Sequence, residues 1–166
     1  MPSEPPENET EAERLNRNFD DLLQELRVSQ NGTQILFAFL LTVPFSNGFT
    51  KVTGFEQGVY FTALLLSALS ASMLIAPAVM HRVLFRQHHK RELVDWASRV
   101  ALGGQVILAF AVTASVFLVT DFIYSHVLAA VMSFVVLMWT SVWFFVLQLY
   151  IRSKHHREED ATTSST

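Results

Sequence analysis

The sequence predicts an all-α fold: a four-transmembrane-helix bundle with an N-terminal cytoplasmic amphipathic helix. Three observations predict it. Long apolar runs recur four times in 166 residues. Charged residues make up 16% of the chain and avoid those runs, where soluble domains carry about 25%. Eleven of the 12 Lys and Arg fall on one side once the runs are threaded alternately through a bilayer, which is the positive-inside pattern of short cytoplasmic loops.

Residues 1–13 read as an acidic tail, with Glu4, Glu7, Glu9, Glu11 and Glu13 among Pro2, Pro5 and Pro6. Nothing there resembles a basic, apolar signal peptide, so the first apolar run is expected to direct its own insertion. Residues 14–30 form the amphipathic helix. Leu15, Phe19, Leu22, Leu23 and Leu26 share one face at helical spacing, and Arg17, Asp20, Asp21, Gln24 and Glu25 occupy the rest. Residues 1–30 carry eight acids against Arg14, Arg17 and Arg27. Such a segment suits a basic protein surface better than anionic lipid.

The first span is placed at about 28–49. Its strongly apolar part, Ile35–Phe45, holds 11 residues, and a perpendicular helix needs roughly 20 to cross about 30 Å of hydrocarbon. The span therefore has to include the polar run Gln30-Asn31-Gly32-Thr33-Gln34, and Pro44 kinks or ends it. An outer loop, Ser46–Gln57, carries Asn47, Gly48 and Gly54 as turn formers. The second span is 58–80, the third 97–119 and the fourth 122–150. Thr120-Asp121 separates the last two, so these form an antiparallel hairpin in which Thr120 or Asp121 caps the fourth helix. The membrane domain covers 14–152, and 153–166 is a cytoplasmic tail. Phe45, Phe49, Tyr60, Phe122 and Tyr124 are expected in an outer aromatic belt, and Trp96 and Tyr150 in an inner one.

Cysteine is absent, which excludes disulfides, thiolate metal sites and cysteine nucleophiles. The net charge of −3 argues against nucleic acid. No P-loop, HExxH or GxSxG pattern is present. No catalytic residue, metal site or cofactor is therefore assigned, and an enzyme is not expected. Five of the six histidines lie in the 81–92 loop or the C-terminal tail among Arg and Lys, where a cation is repelled. The 82–91 loop is instead suited to anionic lipid. The sequons at Asn8 and Asn31 lie on the cytoplasmic side.

Several stretches carry a family resemblance: Leu15-Asn16-Arg17, Leu22 to Val28, Gln34 to Phe45, and His81 to Arg86 followed by Ala101-Leu102. On these residues the chain resembles a family of small bacterial integral membrane proteins catalogued as a domain of unknown function, from about Leu15 to Tyr150. The resemblance implies four helices and residence in a bacterial cytoplasmic membrane. It implies no activity or substrate.

Three polar features are candidates for function. Arg27, Gln30, Asn31 and Gln34 form a stripe on one face of the first span. Unsatisfied amides are costly in hydrocarbon, so the stripe meets other helices, headgroups or water. Asp20, Asp21 and Glu25 are expected to pair with Arg82, Arg86 and Arg91 in a cytoplasmic cap. His126 is the one ionisable group expected inside a span, and no charge occupies the centre of any span. Small residues form packing faces: Ala63, Ser67 and Ala71, then Ala68, Ser72 and Ala76, then Gly103, Gly104, Gln105, Ala109 and Thr113, with Ala111 and Ser115 one step along. Pro77 and Gly103-Gly104 offer a hinge. Trp139 and Trp143 share a face and are assigned to the core. The expected function is a structural or interaction subunit of a membrane assembly, alone as a homo-oligomer or with other membrane proteins. The alternative is a small transporter or channel with its inner mouth at Arg27/Gln30/Asn31/Gln34.

Overall fold

The computed structural model describes residues 11–84 and 90–143, with side chains described for Arg14, Arg17, and residues 19–80 and 96–143. The described chain is helical throughout. Helix α1 is Glu11–Thr42, α2 is Gly54–Leu84, α3 is Lys90–Ile123 and α4 is His126–Trp143. Three segments are long and apolar enough to cross a membrane: Gly54–Met80 in α2, Trp96–Ile123 in α3, and α4. Helix α1 is not among them. Its unbroken apolar run begins only at Ile35, and before that the 32-residue helix interleaves Leu15, Phe19, Leu22, Leu23, Leu26 and Val28 with charged and amide side chains.

The chain divides into two compact units, Met1–Ser115 and Val116–Thr166. In the first, α1 buries Phe19, Leu26, Thr33 and Leu40. The interval of seven keeps these residues on one line of the helix, with Leu22, Leu23, Ser29, Gln30, Leu36 and Phe37 half-buried beside them. Asp20, Asp21, Gln24 and Glu25 are exposed. Helix α2 buries Glu56, Tyr60, Ala63, Ser67, Ser70, Leu74 and Pro77, steps of three and four that trace a single face. Ala63 and Ser67 are thus packing residues, whereas Ala68, Ala71 and Ala76 are half-buried and Ser72 is exposed. Within this unit the described buried positions of α3 are Ala97, Ala101, Gly104 and Ala111. Leu26, Leu74 and Ala101 meet in a small core with Leu22 beside it.

Close approach of α2 and α3 depends on Gly103 and Gly104. A Cβ on Gly104 would lie 3.1 Å from the Leu74 side chain and 3.2 Å from Met73 Cβ; one on Gly103 would lie 2.9 Å from the tip of Met73. At Gly104 a side chain presses on the stem of Met73 and on Leu74, whereas at Gly103 it meets only the flexible tip of Met73. The Ser70 hydroxyl then donates to the Gly104 carbonyl at 2.8 Å.

Helix α2 begins earlier than expected, because Thr53 and Glu56 form a capping box. Thr53 N–H and Oγ1 each donate to Glu56 Oε2 at 2.7 Å, and Glu56 N–H donates back to Thr53 Oγ1 at 3.3 Å. Gly54 is therefore the first helical residue, not a turn former, and the loop shortens. Two 3-10 turns, Val43–Phe45 and Phe49–Lys51, fill most of it. Thr53→Ala is expected to cost about 1 kcal/mol, read as a lower unfolding midpoint in detergent, whereas Thr53→Ser should retain most of the stability.

In the second unit, α3 continues through Thr120 and Asp121 to Ile123. The break falls at Tyr124-Ser125, and Ser125, neither Thr120 nor Asp121, caps α4: its Oγ accepts the Leu128 N–H at 3.4 Å and its carbonyl the Ala129 N–H at 2.9 Å. Trp139 and Trp143 are 67% and 61% exposed, so they are not core residues. Their rings meet edge to face at 6.3 Å.

Candidate functional site

Sequence reasoning placed Arg27, Gln30, Asn31 and Gln34 on one stripe, and the structure divides them. Gln30 lies at the edge of the face that packs on α2, and its Nε2 donates to the Leu74 carbonyl at 2.6 Å. Pro77, three residues on, has no N–H for the Met73 carbonyl and crowds that turn. Gln30 meets the next carbonyl, that of Leu74, so it braces the proline turn without replacing the lost bond to Met73. Thr33, also inward, satisfies itself by donating to the Ser29 carbonyl at 2.8 Å.

Arg27, Asn31 and Gln34 point elsewhere and are exposed, as are Ala38, Leu41 and Phe45 on the same line. Among the described residues, no side-chain hydrogen bond or ion pair reaches Arg27, Asn31 or Gln34. The helix thus has two seams: an inner one used within the chain, and an outer one of charge and amides running into apolar residues.

The C-terminal end of α1 shows why the first unit is well anchored. Pro44 has no N–H, so the Leu40 carbonyl loses its helical partner. Tyr60 Oη donates to that carbonyl at 3.1 Å, and its ring stacks edge to face with Phe49 at 5.2 Å. Tyr60 is therefore buried and holds α1 to α2 instead of standing in an outer belt, whereas Phe45, Phe122 and Tyr124 are exposed. Tyr60→Phe leaves a buried acceptor unmet and is expected to cost roughly 1–3 kcal/mol, read by denaturant titration; the second change Pro44→Ala, which restores an N–H to Leu40, should recover part of the loss.

A second polar pair lies in the second unit. His126 Nδ1 contacts Asp121 Oδ1, with the imidazole 71% exposed and the carboxylate side chain 1% exposed. His126 opens α4, where an isolated histidine was expected. Asp121, assigned to a turn, sits inside α3 as a buried acid. Beyond that contact neither carboxylate oxygen has a hydrogen-bond partner among the described residues.

The cytoplasmic cap pairs fall partly outside the described residues. Asp20, Asp21 and Glu25 are exposed on α1, but Arg86 and the side chains of Arg82 and Arg91 lie outside. Among the described residues no group of three or more His, Cys, Asp or Glu converges to hold a metal ion. Sequence reasoning missed Tyr60, the Ser70–Gly104 bond and the Asp121–His126 pair. Thr53-x-x-Glu56 was the one missed feature with a local sequence signal.

Fold and site together define a helical chain whose helices are compatible with a multi-pass membrane protein, with no recognisable reaction centre among the described residues. The chain belongs to a family of unknown function, DUF6328, whose model matches residues 8–148. No curated protein and no solved structure matches it.

Proposed function

We propose that this protein is an interaction subunit of a membrane assembly, and that the outer seam of α1 is its docking surface. The observation that carries this reading is the set Arg27, Asn31 and Gln34, exposed on one helix face and without a side-chain partner among the described residues. In this reading α1 is a fourth crossing helix. From Val28 to Thr42 it rises about 22 Å at ~1.5 Å per residue, and the Val43–Phe45 turn adds about 6 Å. The sum approaches the ~30 Å of hydrocarbon only if the amides enter the membrane. Carboxamides facing lipid tails are costly and facing another helix are adhesive. The buried line of α1 is taken up by α2 and the Leu26–Leu74–Ala101 core, and of the exposed faces Val28, Ile35 and Phe39 are apolar and suit lipid, which leaves the amide-bearing outer seam for a partner.

The cation distribution supports an orientation with both termini and the 81–96 connection on the cytoplasmic side of a bacterial inner membrane. The amphipathic start of α1 would then lie at that surface, with Asp20, Asp21 and Glu25 offered to the basic loop. The test is assembly size in native membranes. After mild solubilisation, wild-type chain should migrate in a particle larger than one copy, and Asn31→Leu with Gln34→Leu should release it. A wild-type chain that migrates as one copy, or a double variant that stays in the particle, overturns the reading.

A further inference from the structure

The outer seam carries the exposed charged and amide residues of the C-terminal half of α1 and continues into apolar ones. Arg27, Asn31, Gln34, Ala38, Leu41 and Phe45 are separated by four, three, four, three and four residues, and all six are exposed. Alternating steps of three and four are the repeat that lets two parallel helices stay in contact as they wind about each other. The adjoining exposed line, Val28, Gly32, Ile35, Phe39 and Thr42, has the same steps, so it is the charged and amide residues Arg27, Asn31 and Gln34 that single out the outer seam, while the inner seam of α1, through Phe19, Leu26, Thr33 and Leu40, is already filled.

We propose that the occupant of this seam is the α1 helix of a second copy of the chain, giving a parallel dimer; this rests on the docking reading above. Three features favour an identical partner. Two copies in one bilayer share an orientation, so their α1 helices run parallel and in register. A carboxamide both donates and accepts, so Asn31 opposite Asn31 and Gln34 opposite Gln34 satisfy each other without any complementary residue. In parallel two-stranded coils, one polar Asn in the seam sets register and pairing. Ala38, one turn further, removes bulk where the backbones draw together. The like charges at Arg27 fall at the aqueous end, where the long flexible side chains can splay apart into water.

The chain contains no cysteine, so single cysteines report without background. Purified full-length protein in liposomes, carrying one cysteine at a time from position 28 to 41, is treated with copper phenanthroline and run on non-reducing gels. A disulfide needs Cα atoms within about 7 Å. Positions 31, 34, 38 and 41 should cross-link at least tenfold more than 28, 33, 35 and 40. Adding Gln34→Leu and Asn31→Leu to the cysteine at 38 should cut its cross-linking about tenfold, with helicity by circular dichroism unchanged. Uniform or absent cross-linking in folded protein overturns the second-copy proposal. If native membranes still show a seam-dependent particle, the docking reading survives with a different partner. If they do not, both fall.

Discussion

Gly104→Leu is expected to be the most damaging single change in the first unit, costing about 3 kcal/mol, the upper part of the usual range for overpacking. Even a methyl at Gly104 would stand 3.1 Å from the Leu74 side chain and 3.2 Å from Met73 Cβ. Met73 Cβ belongs to the stem of its side chain and moves only with the backbone. A leucine therefore has to push α2 and α3 apart, which also breaks the Ser70–Gly104 hydrogen bond and opens the Leu26–Leu74–Ala101 core. Gly103→Ala is the control. Its Cβ would meet the flexible end of Met73, so the neighbour can swing aside, and alanine regains roughly 1 kcal/mol of helix propensity. Unfolding midpoints in detergent should fall steeply for Gly104→Leu and hardly move for Gly103→Ala. Equal effects would mean that the glycines do not mark the contact.

His126→Ala should cost more than removal of the acid it touches. The carboxylate of Asp121 is buried and the imidazole is mostly exposed. Removing the histidine leaves a buried charge without its contact, a change that costs 3–5 kcal/mol in fully buried pairs. The exposure of His126 reduces this to about 2 kcal/mol, since water can reach part of the site. Asp121→Asn removes the charge and leaves an exposed imidazole, so its effect should stay below about 1 kcal/mol. The double variant should then resemble Asp121→Asn, because the histidine matters through the charge it meets. Additive losses in that cycle would show that the two side chains act independently.

Much of this architecture is legible in the chain. The apolar runs announce α2, α3 and α4, and Pro44 announces the end of α1, because both depend on composition or on a missing N–H. The polar face of α1 is legible too, but its division is not. Gln30 and Asn31 are sequence neighbours, and only the position of Leu74 and Pro77 on another helix decides that Gln30 turns inward. Tyr60 reads as a belt residue until the Leu40 carbonyl, orphaned by Pro44, is brought to its hydroxyl. Asp121 reads as a turn residue because acids favour turns, yet the helix runs past it and the break comes at Tyr124-Ser125. Trp139 and Trp143 read as core from their spacing, but spacing identifies a shared face and not what covers it. The box at Thr53 and Glu56 was there to be seen and moves the start of α2 to Gly54.

The most direct test of the docking reading is a spin-label scan of α1 in native membranes, from position 26 to 41. Each label is read against oxygen, which partitions into lipid, and a nickel chelate, which stays in water. The account predicts that labels at 31, 34 and 38 are shielded from both reagents, as are those at 26, 33 and 40, while 28, 35 and 39 collide freely with oxygen. Strong oxygen collisions at 31, 34 and 38 would place bare lipid on the outer seam, and strong nickel collisions there would place a water-filled path along α1. Either result contradicts a protein partner on that face, and the second would favour the transporter.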